Sequence, residues 1–168
     1  MQEAFVRCGI FSIMPISTPA TQTLNLLSVP YRVFKHPHPP ESLEQAARER
    51  GQDPGQIIRS ILFRFEKVNF FLTLMAGSRQ ISWRKLRAHL GVSRISMATE
   101  DEVLAVTGYA VGTVSPLGLP RPIRILADLS VFKSEEISLG SGERGVAIIM
   151  KSADLKRILG KIEVGQFC

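Results

Sequence analysis

Apolar positions along this 168-residue chain follow two periods. Five segments carry the three-and-four spacing of a helix face, and each is announced by a capping side chain. Thr18 followed by Pro19 provides a cap and a pre-set first φ for a stripe of Ala20, Leu24 and Leu27. Ser42 and Gln45 form a capping box for a helix running to Gly51, and Thr99 with Glu102 a second for a helix closed by Gly108. Ser82 opens a helix with Trp83, Leu86 and Leu90 on one face and Gly91 as its stop, and Ser152 caps SADLKRIL, ended by Gly160. Between these lie IIRSILFRF, NFFLTLM, RISMA, IRILAD, EEISLG and GVAIIMK, whose branched and aromatic residues predict strands of about five to nine residues. A further strand follows Pro30 in SVPYRVF, and the first two runs, separated only by EKV, form a hairpin.

The pattern predicts an α/β fold of the α+β kind: a mixed, largely antiparallel sheet curled into a barrel, with helices flanking it. No repeat or low-complexity tract interrupts it. A single domain is expected over residues 18–168, preceded by an N-terminal extension over 1–17 in which Met14 is a candidate start and residues 1–13 are dispensable.

Composition narrows the class. Apolar residues make up 45% and charged residues 21%, which excludes a disordered chain, and no apolar run is long enough to span a membrane. The early run CGIFSIM is broken by Ser12, ended by Pro15 and preceded by Glu3, a poor match to a secretory leader. Cys8 and Cys168 lack metal-ligand spacing, so a reduced, cytoplasmic protein is expected. A net charge of +6 favours a polyanionic partner such as RNA; a merely basic, solvated surface is the alternative.

Candidate chemistry is sparse. In HPHPP, alternation puts His36 and His38 on one side of an extended segment, but with His89 far along the chain they make a poor metal site; a pocket wall or an ordinary turn fits them better. There is no GxxxxGK phosphate loop and no GxSxG elbow. Ser115 has no obvious partner base and reads as a residue that holds its loop by its hydroxyl. The turn GSGERG, residues 140–145, clusters backbone N–H groups with Arg144, as either an anion site or a tight hairpin. Arg59 lies in an apolar strand with Ile57 and Ile61 on its face, which favours an inward or pocket-facing guanidinium. The stretch TGYAVGTVSPLGLP, residues 107–120, holds three glycines and two prolines but no acid, base or cysteine. Such a loop is stiff and chemically bland.

From about Leu26 to Leu159 the chain resembles the YbaK-type aminoacyl-tRNA deacylases, relatives of the editing domain of bacterial prolyl-tRNA synthetases. The resemblance rests on VPYRVFKHPHPP, AARERGQDPGQIIRSILFR, SRQISWRKL, TGYAVGTVSPLGL, ILADLSVF and GSGERG, in the family's order. It implies hydrolysis, without metal or cofactor, of the ester joining a wrong amino acid to the 3′ end of tRNA. A tRNA for proline carrying alanine or cysteine is the expected substrate, and prolyl-tRNA synthetase a further partner. It implies that backbone N–H groups around Gly112 and Thr113 face the developing oxyanion, with Val111, Val114, Ser115, Pro116 and Leu117 around a small pocket. Asp128 and the run from Gly140 through Gly142 to Arg144 match motifs that line or support that pocket, and His36 and His38 join the substrate-binding set. Two departures stand out: Arg59 occupies the position of the family's active-site lysine, and Thr113 that of the second of two glycines. An arginine keeps the charge but cannot shuttle a proton, so a silent relative that binds without hydrolysis is the alternative, and a simple nucleic-acid-binding module a third.

Overall fold

The computed structural model describes residues 15–168, so the expected dispensability of residues 1–13 lies outside the described residues. The elements run α1 (Pro19–Leu26), β1 (Arg32–Lys35), α2 (Leu43–Arg50), β2 (Ile58–Phe65), β3 (Asn69–Ala76), α3 (Trp83–Leu90), β4 (Ile95–Met97), α4 (Glu100–Thr107), β5 (Arg124–Asp128), β6 (Glu136–Gly140), β7 (Val146–Lys151), α5 (Ser152–Leu159) and β8 (Glu163–Gly165). Four helices start where their caps predict. Thr18, Ser42, Ser82 and Thr99 each accept a hydrogen bond from the backbone N–H three residues on. The fifth does not, because Ser152 is already the first helical residue and its hydroxyl donates to the carbonyl of Ser134 at 2.6 Å. That bond ties α5 to the start of β6 instead of closing its own N-terminus.

The strands form two sheets rather than one closed barrel. β1, β7 and β6 make an antiparallel three-stranded sheet, and the other has the order β4-β2-β3-β5-β8. Four of the six strand pairs are antiparallel; β5 pairs in parallel with β3 and with β8. Among the described residues a single parallel bridge, Ile57 to Ser138, links the two sheets. The expected closure fails because the outer strands of the larger sheet, β4 and β8, are only three residues long and cannot extend a ladder around the core.

The main core lies between the sheets. Ile58, Leu62, Leu72 and Leu74 from one sheet meet Ile137, Leu139, Ile148 and Met150 from the other, with Leu24 of α1 and Leu155 of α5 closing its sides. Alternation sends the next residues of β2 and β3 to the opposite face, where Phe63 stacks on Phe71 with ring centroids 5.3 Å apart, beneath Leu86 of α3. The loop 107–120 enters the main core through Tyr109, Val114 and Leu117, and the Tyr109 hydroxyl donates to the Leu117 carbonyl at 2.7 Å. Burial pushes the Tyr109 hydroxyl up to about 12, despite an opposing backbone hydrogen bond with Ala20, so it remains a donor at neutral pH.

Gly140, the last residue of β6, fixes this loop against the sheet. A Cβ there would lie 2.3 Å from the carbonyl oxygen of Val114 and 2.8 Å from that of Thr113. Both obstacles are backbone, so neither can rotate away. Gly140→Ala is therefore expected to cost about 1–3 kcal/mol, as overpacking of a filled site does. Gly55→Ala, at a site with nothing within 4 Å, serves as the control. Denaturant unfolding of both variants checks this; equal stability would contradict the close contact.

Candidate active site

A cavity of about 670 Å³ opens where β2, the loop 107–120 and the β6–β7 hairpin converge. Ile58, Ser60 and Leu62 of β2 face Val111, Gly112 and Val114 of the loop, while Leu139 and Gly140 form a third side. Glu143 and Arg144 stand at the hairpin rim and are exposed.

Gly112 has φ +87°, a left-handed backbone that L side chains rarely adopt, and a Cβ there would meet nothing within 4 Å. A side chain at 112 would thus project into open space beside a strained backbone, not into a protein neighbour. Its N–H donates to no acceptor among the described residues. Thr113 differs from expectation. Its N–H donates to the Ala110 carbonyl at 3.0 Å and its hydroxyl to the same oxygen at 2.8 Å, so the turn consumes both donors. The Thr113 carbonyl accepts from the N–H of Gly142 at 2.9 Å.

Ser115, Pro116 and Leu117 do not reach the cavity wall; all three are buried behind it. The loop turns back at Ser115, whose hydroxyl accepts from the Leu117 N–H at 3.3 Å, and Leu117 joins the main core. Gly142 lies against the Tyr109 ring, outside the cavity. GSGERG is a hairpin connection: the Ser141 hydroxyl donates to the Val146 carbonyl at 2.9 Å and accepts from Glu143 N–H at 3.1 Å. That spends donors an anion would need.

His36 and His38 separate. β1 ends at Lys35 and the chain bends, so alternation stops; His36 is buried at the cavity and His38 is exposed. His36 belongs to a network that spacing in sequence did not reveal. Its Nδ1 donates to the Glu49 carboxylate, and its Nε2 accepts from Arg50 Nε at 3.0 Å. Arg50 Nη1 donates to the Ser138 hydroxyl at 2.8 Å. These partners lie 13, 14 and 88 residues apart and meet only through folding. The hydrogen bond from His36, then that from Gln45, holds the Glu49 carboxyl below its ordinary value. Arg50 thus brings a fixed guanidinium to the cavity wall, its pKa lowered by burial.

Arg59 is also in the wall. Register pairs it with Met75 of the aromatic face, whereas its neighbour Ser60 pairs with Leu74 of the main core. Its Nη2 donates to the Arg79 carbonyl, its Nε is buried without a partner among the described residues, and burial lowers its pKa. The Ser60 hydroxyl, a residue that sequence reasoning passed over, is likewise buried and unpartnered. The cavity is therefore largely apolar on three sides, with the Arg50 guanidinium and the spare Ser60 hydroxyl in its wall and Glu100, Glu143 and Arg144 also lining it. The Arg59 side chain leaves β2 on the opposite face and turns to the Arg79 carbonyl. Among the described residues the cavity lining contains no nucleophile–base pair.

This fold and site define a class: an α+β module with a bland, glycine-containing pocket built for positioning. The family described as the aminoacyl-tRNA editing domain matches residues 37–158, and the chain belongs to it. It is 34% identical over 92 residues, 55% of its length, to the proline–tRNA ligase of Kosmotoga olearia, covering 16% of that protein. It is 26% identical over 130 residues, 75% of its length, to that of Limosilactobacillus fermentum, covering 22%. The chain thus spans less than a quarter of the curated relatives it matches. In fold it is similar to the crystal structure of a candidate trans-editing enzyme for prolyl tRNA synthetase, with a TM-score of 0.79, 24% identity and coverage of 91% of this chain and 98% of that one. No helix among the described residues is long and apolar enough to cross a membrane.

Asp128 stands apart from the cavity as a buried brace. Its Oδ1 accepts from the Ser130 N–H at 2.9 Å and its Oδ2 from the Phe167 N–H at 2.7 Å, joining β5 to the C-terminal segment. Burial opposes its ionisation, but the bonds from Ser130 and Phe167 and the charge of Arg79 outweigh it and hold the carboxyl below its ordinary value. A depressed folded-state pKa gives stability that is full above the unfolded value, about pH 4, and is lost as pH falls through the folded value. Unfolding free energy is expected to fall more steeply over that acid range in the natural protein than in Asp128→Asn. Parallel pH profiles would remove the brace.

Proposed function

We propose that this protein hydrolyses, in trans, the ester joining a small wrong amino acid to the 3′ end of a tRNA, with a tRNA for proline as the carrier. The observation that supports this most directly is the cavity wall at Gly112, whose N–H is unspent in a chain belonging to the editing family. Water attacks the ester carbonyl, and the Gly112 N–H stabilises the oxyanion that develops. Its collapse breaks the bond to the 3′ oxygen, which takes a proton from the attacking water and leaves as the tRNA hydroxyl. An aminoacyl ester is activated, so a positioned water and a charge-stabilising donor suffice, without a strong base. Val111, Val114, Ile58, Leu62 and Leu139 form an apolar sieve that admits alanine or cysteine and resists larger side chains. Arg50 supplies positive charge to the terminal phosphate and the oxyanion, joined by Arg59 when it leaves the Arg79 carbonyl. Prolyl-tRNA synthetase, for which the curated relatives matching 92 and 130 residues of this chain are named, is the partner whose errors this activity removes.

A second reading, binding without turnover, is favoured by one observation: Arg59 is engaged by the Arg79 carbonyl and, unlike a lysine, cannot exchange a proton. Hydrolysis assays with alanyl, cysteinyl, seryl and prolyl esters of the tRNA for proline separate the two. The expected result is turnover of the alanyl or cysteinyl ester with the prolyl ester spared. Gly112→Val is expected to remain folded and lose turnover. Arg59→Lys retains or modestly raises the rate, while Arg59→Ala loses about 2–4 kcal/mol of transition-state stabilisation. Tight binding with no turnover, and rescue by Arg59→Lys over orders of magnitude, would establish the silent relative instead. Turnover unchanged in a folded Gly112→Val protein would remove the loop from the site.

A further inference from the structure

A second concavity, open and of about 560 Å³, lies further along the same two strands. Register makes the succession explicit. Phe63 of β2 pairs with Met97 of β4, Arg64 with Ser96 and Phe65 with Ile95. Leu62 and Met97 line the cavity described above, whereas Arg64, Phe65, Ile95 and Ser96 line the second cleft. The cleft begins one ladder step, about 3.3 Å, beyond the Phe63–Met97 pair that ends the cavity. Its floor lies on the aromatic face of the sheet, opposite the cavity wall.

The cleft is basic with an apolar floor. Arg87, from the last turn of α3, and Arg94, from the segment entering β4, line it with Lys67 of the β2–β3 turn. None of these three makes an ion pair among the described residues. Arg64 does, with Glu102 of α4, and Glu66 is the one carboxylate in the lining. Phe65 and Ile95, cross-strand partners half-buried against the aromatic cluster, supply the floor. Unpaired cations around an aromatic and aliphatic base suit a nucleic-acid strand, whose phosphates take the charges and whose bases take the apolar surface.

We infer that this cleft is a docking track for the single-stranded end of an RNA, holding the backbone of the nucleotides that precede the one seated in the cavity. The inference rests on the reading of an RNA-borne ester as substrate, and places its backbone on Lys67, Arg87 and Arg94 rather than across the basic surface at large. The occupant is a phosphodiester strand: the rim of the cleft offers cations to phosphates, and the strand reaches the cavity round the edge strand β4, whose Met97 lines the cavity and whose Ile95 and Ser96 line the cleft.

The test uses the full chain and a short RNA hairpin ending in a single-stranded 3′ CCA, uncharged, with affinity measured across a salt series. Arg87→Glu combined with Arg94→Glu is compared with Lys133→Glu combined with Lys161→Glu. The second pair makes the same change of charge at exposed positions outside the cleft, Lys161 beside β8 at the far edge of the sheet from β4. A milder pair, Arg87→Gln with Arg94→Gln, guards against misfolding. Reversal in the cleft is expected to weaken binding about tenfold or more at low salt and to flatten the salt dependence, with the neutral pair intermediate and the control pair near the natural protein. Equal losses in the cleft and control pairs would reduce the effect to net charge and overturn the inference. So would undiminished binding by the cleft variant, or absence of RNA binding by the natural protein. Hydrolysis by the natural protein of an alanyl ester of adenosine, too short to reach the cleft, tests the underlying hydrolase reading separately.

Discussion

The backbone contact between Gly140 and the Thr113–Val114 carbonyls sets the position of everything around the cavity. β6 belongs to the smaller sheet and β2 to the larger, and among the described residues only the Ile57–Ser138 bridge joins the two sheets by backbone pairing. The loop 107–120 spans the remaining gap. It can come close only because β6 ends in a residue without a side chain, where a Cβ would overlap a carbonyl oxygen at 2.3 Å. With the loop held there, the bond from Gly142 to Thr113 fixes its register, and Gly112 is left at the cavity surface. The cavity is thus the space that remains where two sheets are joined at one point and propped apart by a loop.

That origin accounts for its chemistry. Walls made from sheet faces are apolar, and a loop fixed by its own internal bonds has few donors to spare. Charge enters from the margins: Arg50, held by His36 and Ser138, with Glu100, Glu143 and Arg144 at the rim and Arg59 held close by, behind β2, by the Arg79 carbonyl. Immobilised guanidinium groups suit the stabilisation of a negative charge already in place, and a site of this kind favours an activated substrate over one that needs a strong base. On the proposed reading the substrate brings its own reactivity, and the protein contributes shape, one backbone donor and fixed charge.

Features governed by neighbours in sequence were legible before the structure. Four helix caps and the β2–β3 hairpin depend on residues within a few positions of one another, and the bland composition of residues 107–120 pointed to the loop that lines the cavity. Features governed by long-range contact were not. β8 is a three-residue strand containing a glycine, formed because β5 offers an edge. The open edges that prevent barrel closure depend on strand lengths that a pattern of apolar residues does not fix. Alternation failed for His36 and His38 because it holds only while the strand lasts. Pro116 and Leu117 were expected at the pocket from the family resemblance, but loop residues follow no period, and these turn into the core. The Glu49–His36–Arg50 network had one local signal, adjacent opposite charges at the end of α2, yet nothing in the sequence shows that they meet the histidine just after β1.

Backbone amide shifts on titration with a non-hydrolysable analogue, adenosine carrying alanine through a 3′ amide, test the central claim most directly. That claim is that the ligand sits in the cavity with its carbonyl at Gly112. The account predicts a large, saturable shift of the Gly112 amide, smaller shifts along Ile58–Leu62 and at Arg144, and little change at His38 or Asp128. Saturable binding with Gly112 unmoved and the shifts gathered elsewhere would contradict it.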